Sequence, residues 1–202
     1  MKVALIVLGV VGGLVVIFVV WRLYATFVGG QRAYAKLLAR IAPVTEALQR
    51  GDTPAAEDLQ SFARDRVTRK VLYEALAEHD QIELFPQEQR TWEALAEADL
   101  VAWLCHPNEL GAPPDEIELT KQLPVPGGAA GSHRYFLFRY RTYPPHWAAG
   151  DGWMAGVAGP YDVEKEPEPH ASGTFSRFEA YDSRTAEEHV EITHRLVPER
   201  RG

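Results

Sequence analysis

Residues Val3 to Trp21 read VALIVLGVVGGLVVIFVVW, 19 positions without a charged or strongly polar side chain. A globular core rarely uses so long an unbroken apolar run at a chain terminus. As a helix, the run spans about 28 Å at 1.5 Å per residue, close to the ~30 Å hydrocarbon core of a bilayer. Valine and isoleucine are mediocre helix formers in water, but lipid forces the backbone to close its hydrogen bonds internally. Trp21, Tyr24 and Phe27 fall where an aromatic belt would sit, and Arg22 can snorkel outward from there. The sequence thus predicts a single-pass transmembrane anchor over 1–28, with the lipid bilayer as its partner.

A cleaved signal peptide would have an apolar region of only about 7–15 residues and a small-x-small site close behind it. The nearest such site here, Ala33-Tyr34-Ala35, lies too far downstream, so retention is expected. Gly9 and Gly13 have the G-x-x-x-G spacing of tightly packed membrane helices, a spacing that merely tolerated glycines also produce. Orientation follows from flanking charge. Lys2 stands on one side, and Arg22, Arg32, Lys36 and Arg40 stand on the other. The positive-inside rule then places the C-terminal portion in the cytoplasm; the opposite orientation would place it outside the cell membrane.

The formal net charge is −7, and without Lys2 and Arg22 the remainder carries −9. Such a surface is a poor partner for nucleic acid or for anionic lipid headgroups, and no nucleic-acid-binding signature overrides it. The single cysteine, Cys105, rules out an intramolecular disulfide.

Beyond the anchor, apolar positions from Tyr34 through Leu48 recur at helical spacing, with Pro43 either kinking that helix or opening a second. Gly51 is a fitting terminator. Helices are expected over 55–65 and 67–78. This pair resembles a single HEAT-type unit, but no second copy follows at a fixed period, so it is read as a helical hairpin. A fourth helix is expected from Pro86 to Cys105, ended by His106-Pro107.

The turn-rich Leu110–Asp115 then gives way to period-two segments over 117–123, 135–141, 153–158 and 174–181. In the second, Phe136, Phe138 and Tyr140 share one face and Leu137, Arg139 and Arg141 the other. Thr185-x-x-Glu188 is a capping-box signal for a last helix to Leu196. The expected fold is α+β: a transmembrane helix, a helical region over 29–109, and a small, mainly antiparallel sheet with a C-terminal helix over 110–202. Residues 29–202 are long enough for one domain.

Candidate chemistry is sparse. Cys105-His106 suggests a nucleophile and base, but adjacent side chains at a helix end diverge, and a buried structural cysteine fits better. His189 and His194 are five apart and so roughly opposite on the helix; Glu191 and His194, three apart, could share a metal but do not make up its ligand count, and a solvated helix face explains them. The glycine-rich 126–131 stretch precedes a strand rather than a helix and lacks a Gly-Lys-Ser/Thr ending, so it reads as a hairpin connection. No motif implies a cofactor or a metal.

The densest cluster is His146–Trp153, HWAAGDGW, where His146, Trp147, Asp151 and Trp153 offer an imidazole, two indoles and a carboxylate between two strands. Asp151-Gly152 is also an ordinary turn signal, and Gly156 and Gly159 can serve close strand approach. The leading expectation is a membrane-tethered interaction or accessory module with a protein partner. The alternative is a membrane-bound enzyme that uses this loop with a distant acid or base such as Glu179 or His170.

Overall fold

The computed structural model describes residues 32, 34–128, 131–143, 152–167, 173–179 and 182–196. The predicted anchor over 1–28, with Gly9 and Gly13, lies outside them. Among the described residues, no helix is long and apolar enough to cross a membrane.

The fold is α+β. Helix α1 is helical over 34–40 and α2 spans Ala42–Arg50. Pro43 sits in the first turn of α2, and the apolar stripe that looks continuous in sequence breaks at Ile41 because Pro43 has no N–H to continue the α1 ladder. Gly51 closes α2 in the left-handed region at φ 74°. Helices α3 (Ala56–Arg64) and α4 (Arg69–Glu78) follow. Leu59, Ala63, Leu72 and Leu76 from these two helices share a core with Val44 and Leu48 of α2.

The fourth predicted helix begins later than expected. Gln87–Gln89 form a 3-10 turn, and α5 spans Trp92–Leu104. Thr91 sets that start, because its side chain accepts the Ala94 N–H at 3.2 Å and so caps the helix. The predicted stop at His106-Pro107 agrees with an end at Leu104.

Strands β1 (Glu116–Pro124), β2 (His133–Arg141), β3 (Met154–Asp162) and β4 (Thr174–Phe178) form one antiparallel sheet in sequence order. Pro126–Gly128 turns β1 into β2, with Gly127 at φ 82°, as the hairpin reading requires. The last helix, α6 (Ala186–Arg195), starts with the predicted capping box: Glu188 N–H donates to Thr185 Oγ1, and Thr185 N–H donates to Glu188 Oε2.

The two sheet faces have different covers. Ala96, Leu100 and Leu104 of α5 pack on Phe136, Phe138, Tyr140, Met154, Ala158 and Tyr161. Val190 of α6 packs on Tyr135, Leu137, Val157 and Phe178 of the opposite face. Helix α6 covers the part of that face nearer Tyr135. Its other end, around Arg139 and Arg141, is left wet among the described residues.

Candidate functional site

His146, Trp147 and Asp151 of the predicted loop lie outside the described residues, as does His170. Trp153 is described. It directly precedes β3, and its ring lies on the wet end of the α6 face. Arg139 and Arg141 are two positions apart on β2, so both point to that face. Their guanidinium carbons lie 4.5 Å and 4.7 Å from the Trp153 ring centroid. The Arg141 guanidinium also lies 5.0 Å from the Tyr143 ring.

Strand pairing supplies the countercharges. Glu118 opposes Arg139 and Glu116 opposes Arg141 in the β1–β2 register. Arg139 Nε donates to Glu118 Oε2 at 2.8 Å, and Arg141 Nη2 donates to Glu116 Oε1 at 2.7 Å. The Tyr143 hydroxyl donates to the same Glu116 oxygen at 2.9 Å. The hydrogen bonds from Arg141 and Tyr143 hold the Glu116 carboxyl below its ordinary range. The result is a platform of aromatic faces and guanidinium planes with its charge largely balanced. Among the described residues it holds no nucleophile. Its chemistry suits recognition: cation–π contact, hydrogen bonding and flat apolar area.

Glu179 does not meet Trp153. Phe175 and Arg177 of β4 face α5, since Phe175 stacks on Trp103 and Arg177 pairs with Gly156, which abuts Leu100. Glu179 continues that face next to Tyr140. Arg177 Nε donates to Glu109 at 2.9 Å, while the buried Glu179 Oε2 has no hydrogen-bond partner among the described residues. Burial pushes the Tyr140 hydroxyl above its ordinary range; Arg177 opposes the shift, and Glu179 and Glu109 add to it. The two groups named for the enzyme alternative that are described, Trp153 and Glu179, are therefore on opposite faces of the sheet.

The histidines of α6 correct an expectation. A solvated face is expected for Glu191 and His194; Glu191 is exposed but His194 is half-buried, and His189 on the other side is buried, stacking on Phe178 with ring centroids 4.0 Å apart. Its Nε2 lies 3.4 Å from Asp182 Oδ1, an ion-pair distance but too loose for a hydrogen bond of good geometry. His194 Nδ1 lies 2.8 Å from the Tyr135 hydroxyl. Both reach the sheet because α6 buries Val190 and Thr193 against it, and His189 and His194 are the residues next to these two on the helix. Ser176 hydrogen-bonds to Thr193, not to His189, so Ser176, His189 and Asp182 do not form a nucleophile relay. Among the described residues, no group of three or more His, Cys, Asp or Glu side chains is placed to hold a metal.

Cys105 is buried, and His106 Nδ1 accepts the Asn108 N–H at 3.3 Å. Burial pushes the thiol up to about 11, only partly offset by Arg40. The thiolate fraction at neutral pH is thus roughly a hundredfold below that of an ordinary cysteine. Alkylation of Cys105 by a small neutral reagent at pH 7.5 is expected to be slower than that of glutathione by at least this factor. Labelling at the glutathione rate would contradict a buried structural thiol.

No family model, curated protein or solved structure matches the chain.

Proposed function

We propose that the chain is a single-pass, membrane-anchored interaction module, with its folded part on the cytoplasmic side. The observation that carries this is the uncharged run Val3–Trp21, bounded by an excess of cations on its C-terminal side. The partner surface is the wet end of the sheet. Trp153, Tyr143, Arg139 and Arg141 are the residue types in which binding energy concentrates at protein interfaces. The β1–β2 ladder sets Arg139 and Arg141 against Glu118 and Glu116, so little of their side-chain entropy remains to be lost on binding. The partner is a protein whose contacting surface offers carboxylates or carbonyls to the guanidiniums and apolar area to the indole.

One set of cells tests both parts. Full-length chain with a cytoplasm-only fluorescent reporter after Gly202 is expected to fluoresce and to stay in the membrane pellet through carbonate extraction. A phosphatase that is active only outside, fused at the same position, is expected to be silent. A photocrosslinking residue in place of Tyr143 is expected to give a discrete adduct in that pellet, and the adduct should disappear when Trp153→Ala and Arg139→Ala are added. Extraction into the carbonate supernatant sinks the anchor. A smear or no adduct from Tyr143, with the anchor intact, sinks the partner surface.

A further inference from the structure

A second surface, on the helical side, has a different chemistry. Arg32, Lys36 and Arg40 recur at four-residue spacing, which puts all three on one face of the α1 segment. That face lines an open cavity of about 650 Å³, whose other walls include Val67, Cys105, Pro107 and Pro113. No Asp or Glu lines it among the described residues. None of the three cations has an ion pair among the described residues, whereas Arg50, Lys70, Arg139 and Arg177 each hold a carboxylate. Three like charges in one row repel one another and destabilise the helix that carries them. Arg64, Arg66 and Arg134 also lack a carboxylate among the described residues, but only Arg32, Lys36 and Arg40 stand together on the wall of one cavity, where a single outside anion can meet all three.

We infer that this cavity binds the phosphate-bearing headgroup of an anionic phospholipid from the membrane that Val3–Trp21 enters. The inference rests on the anchor reading. Arg32 follows Trp21 by eleven residues, so even a fully extended connection keeps the cavity within about 40 Å of the membrane face. The apolar walls below the cations suit an amphiphile, with the phosphate at the guanidiniums and the glycerol carbons against Val67 and the prolines. A free inorganic anion would leave those walls wet. The net charge of the chain, which argued against an acidic surface engaging anionic lipid, acts here as an orienting device. Repulsion holds the acidic remainder off the bilayer, and the cation row is the part that an anionic surface attracts.

Cys105 is the chain's single cysteine and lines the cavity, so its alkylation reports occupancy. The test uses the full chain reconstituted in phosphatidylcholine vesicles, with and without phosphatidylglycerol at about one part in four, and an uncharged thiol reagent at mildly alkaline pH. Carbonate resistance of the reconstituted chain is checked first. The expected result is about a tenfold slowing of alkylation in the anionic vesicles, since each cation near such a surface adds to the attraction. In Arg32→Gln/Arg40→Gln, whose changed side chains are exposed and leave the core untouched, the slowing is expected to vanish.

Equal slowing in wild type and variant would come from the lower pH at an anionic surface and would overturn the site. Equal protection by millimolar inorganic phosphate in neutral vesicles would assign the cavity to a soluble anion and overturn the lipid. Unchanged rates in a carbonate-resistant chain would sink this proposal while leaving the anchor standing. A chain that fails the carbonate check would sink both.

Discussion

Asp99→Ala is expected to destabilise the folded part by about 3–5 kcal/mol, enough to unfold a domain of ordinary stability. Asp99 of α5 is nine-tenths buried and ties three elements together. It accepts from Lys70 Nζ of α4, and Tyr161 of β3 donates its hydroxyl to Oδ2 at 2.9 Å. Lys70 also reaches Glu74 Oε1 at 3.1 Å, and Tyr34 of α1 donates to Glu74 Oε2 at 3.1 Å. Burial opposes the charge on Lys70, but the Asp99 and Glu74 carboxylates outweigh it and hold the ammonium above its ordinary range. Burial likewise pushes the Asp99 carboxyl up, so the pair persists against a desolvation cost.

Removing one partner leaves that cost uncompensated. Lys70 keeps only Glu74, and the fully buried Tyr161 hydroxyl loses its acceptor. Replacing both charges by apolar residues, Lys70→Met with Asp99→Leu, is expected to recover only part of the loss: the cost of burying the pair's charges goes, but the Tyr161 hydroxyl still lacks an acceptor and Glu74 loses its cation. Chemical unfolding of the full chain in detergent measures both variants. A loss under about 1 kcal/mol for Asp99→Ala, or a double variant no better than the single, would show that the pair does not join α4, α5 and β3 energetically.

Gly159→Ala carries the second large effect, about 3 kcal/mol or more. Gly159 lies in β3 at φ 139°, a backbone region that residues with a side chain rarely adopt. It faces the register shift of β2 between Arg134 and Phe136. A Cβ there would stand 2.9 Å from the Arg134 carbonyl oxygen and 3.1 Å from Tyr135 Cα. Both are backbone atoms of the paired strand, and moving them breaks the ladder. Gly156 is a contrast on the same strand. Its Cβ would meet Leu100 Cδ2 at 2.8 Å and Tyr140 Cε1 at 3.3 Å, and both are side-chain atoms. Leu100 can shift, so Gly156→Ala is expected to cost about 1–2 kcal/mol, as overpacking usually does. Unfolding midpoints of the two variants give the order directly. Gly156→Ala emerging as the more damaging would mean that the β2–β3 approach is looser than these distances imply.

Much of this architecture is legible in the residues. Period-two alternation located all four strands and placed Phe136, Phe138 and Tyr140 on one face, because a strand's side chains alternate whatever covers them. The α6 boundary was readable because a capping box is satisfied within four residues. Gly156 and Gly159 could be marked as close-approach positions, although their very different neighbours could not. The start of α5 was misplaced at Pro86, since a proline suits a first turn and the sequence gives no measure of whether the Thr91 cap outcompetes it.

The sites were less legible. Glu179 was named as a distant acid or base for the loop that ends at Trp153, and the sheet's two-sidedness separates the two. The spacing of Arg32, Lys36 and Arg40 was visible, but the cavity they line was not. By itself the sequence determined the apolar run, the charge bias, the strand faces and the helix caps, all of which depend on neighbours within a few residues. Tertiary structure alone decided that Asp99 meets Lys70 and Tyr161, that His189 is buried, that two guanidiniums flank Trp153, and that the cations of α1 meet no carboxylate among the described residues. Each of these depends on which distant elements pack together, and that choice is made by the burial of whole faces rather than by any local pattern.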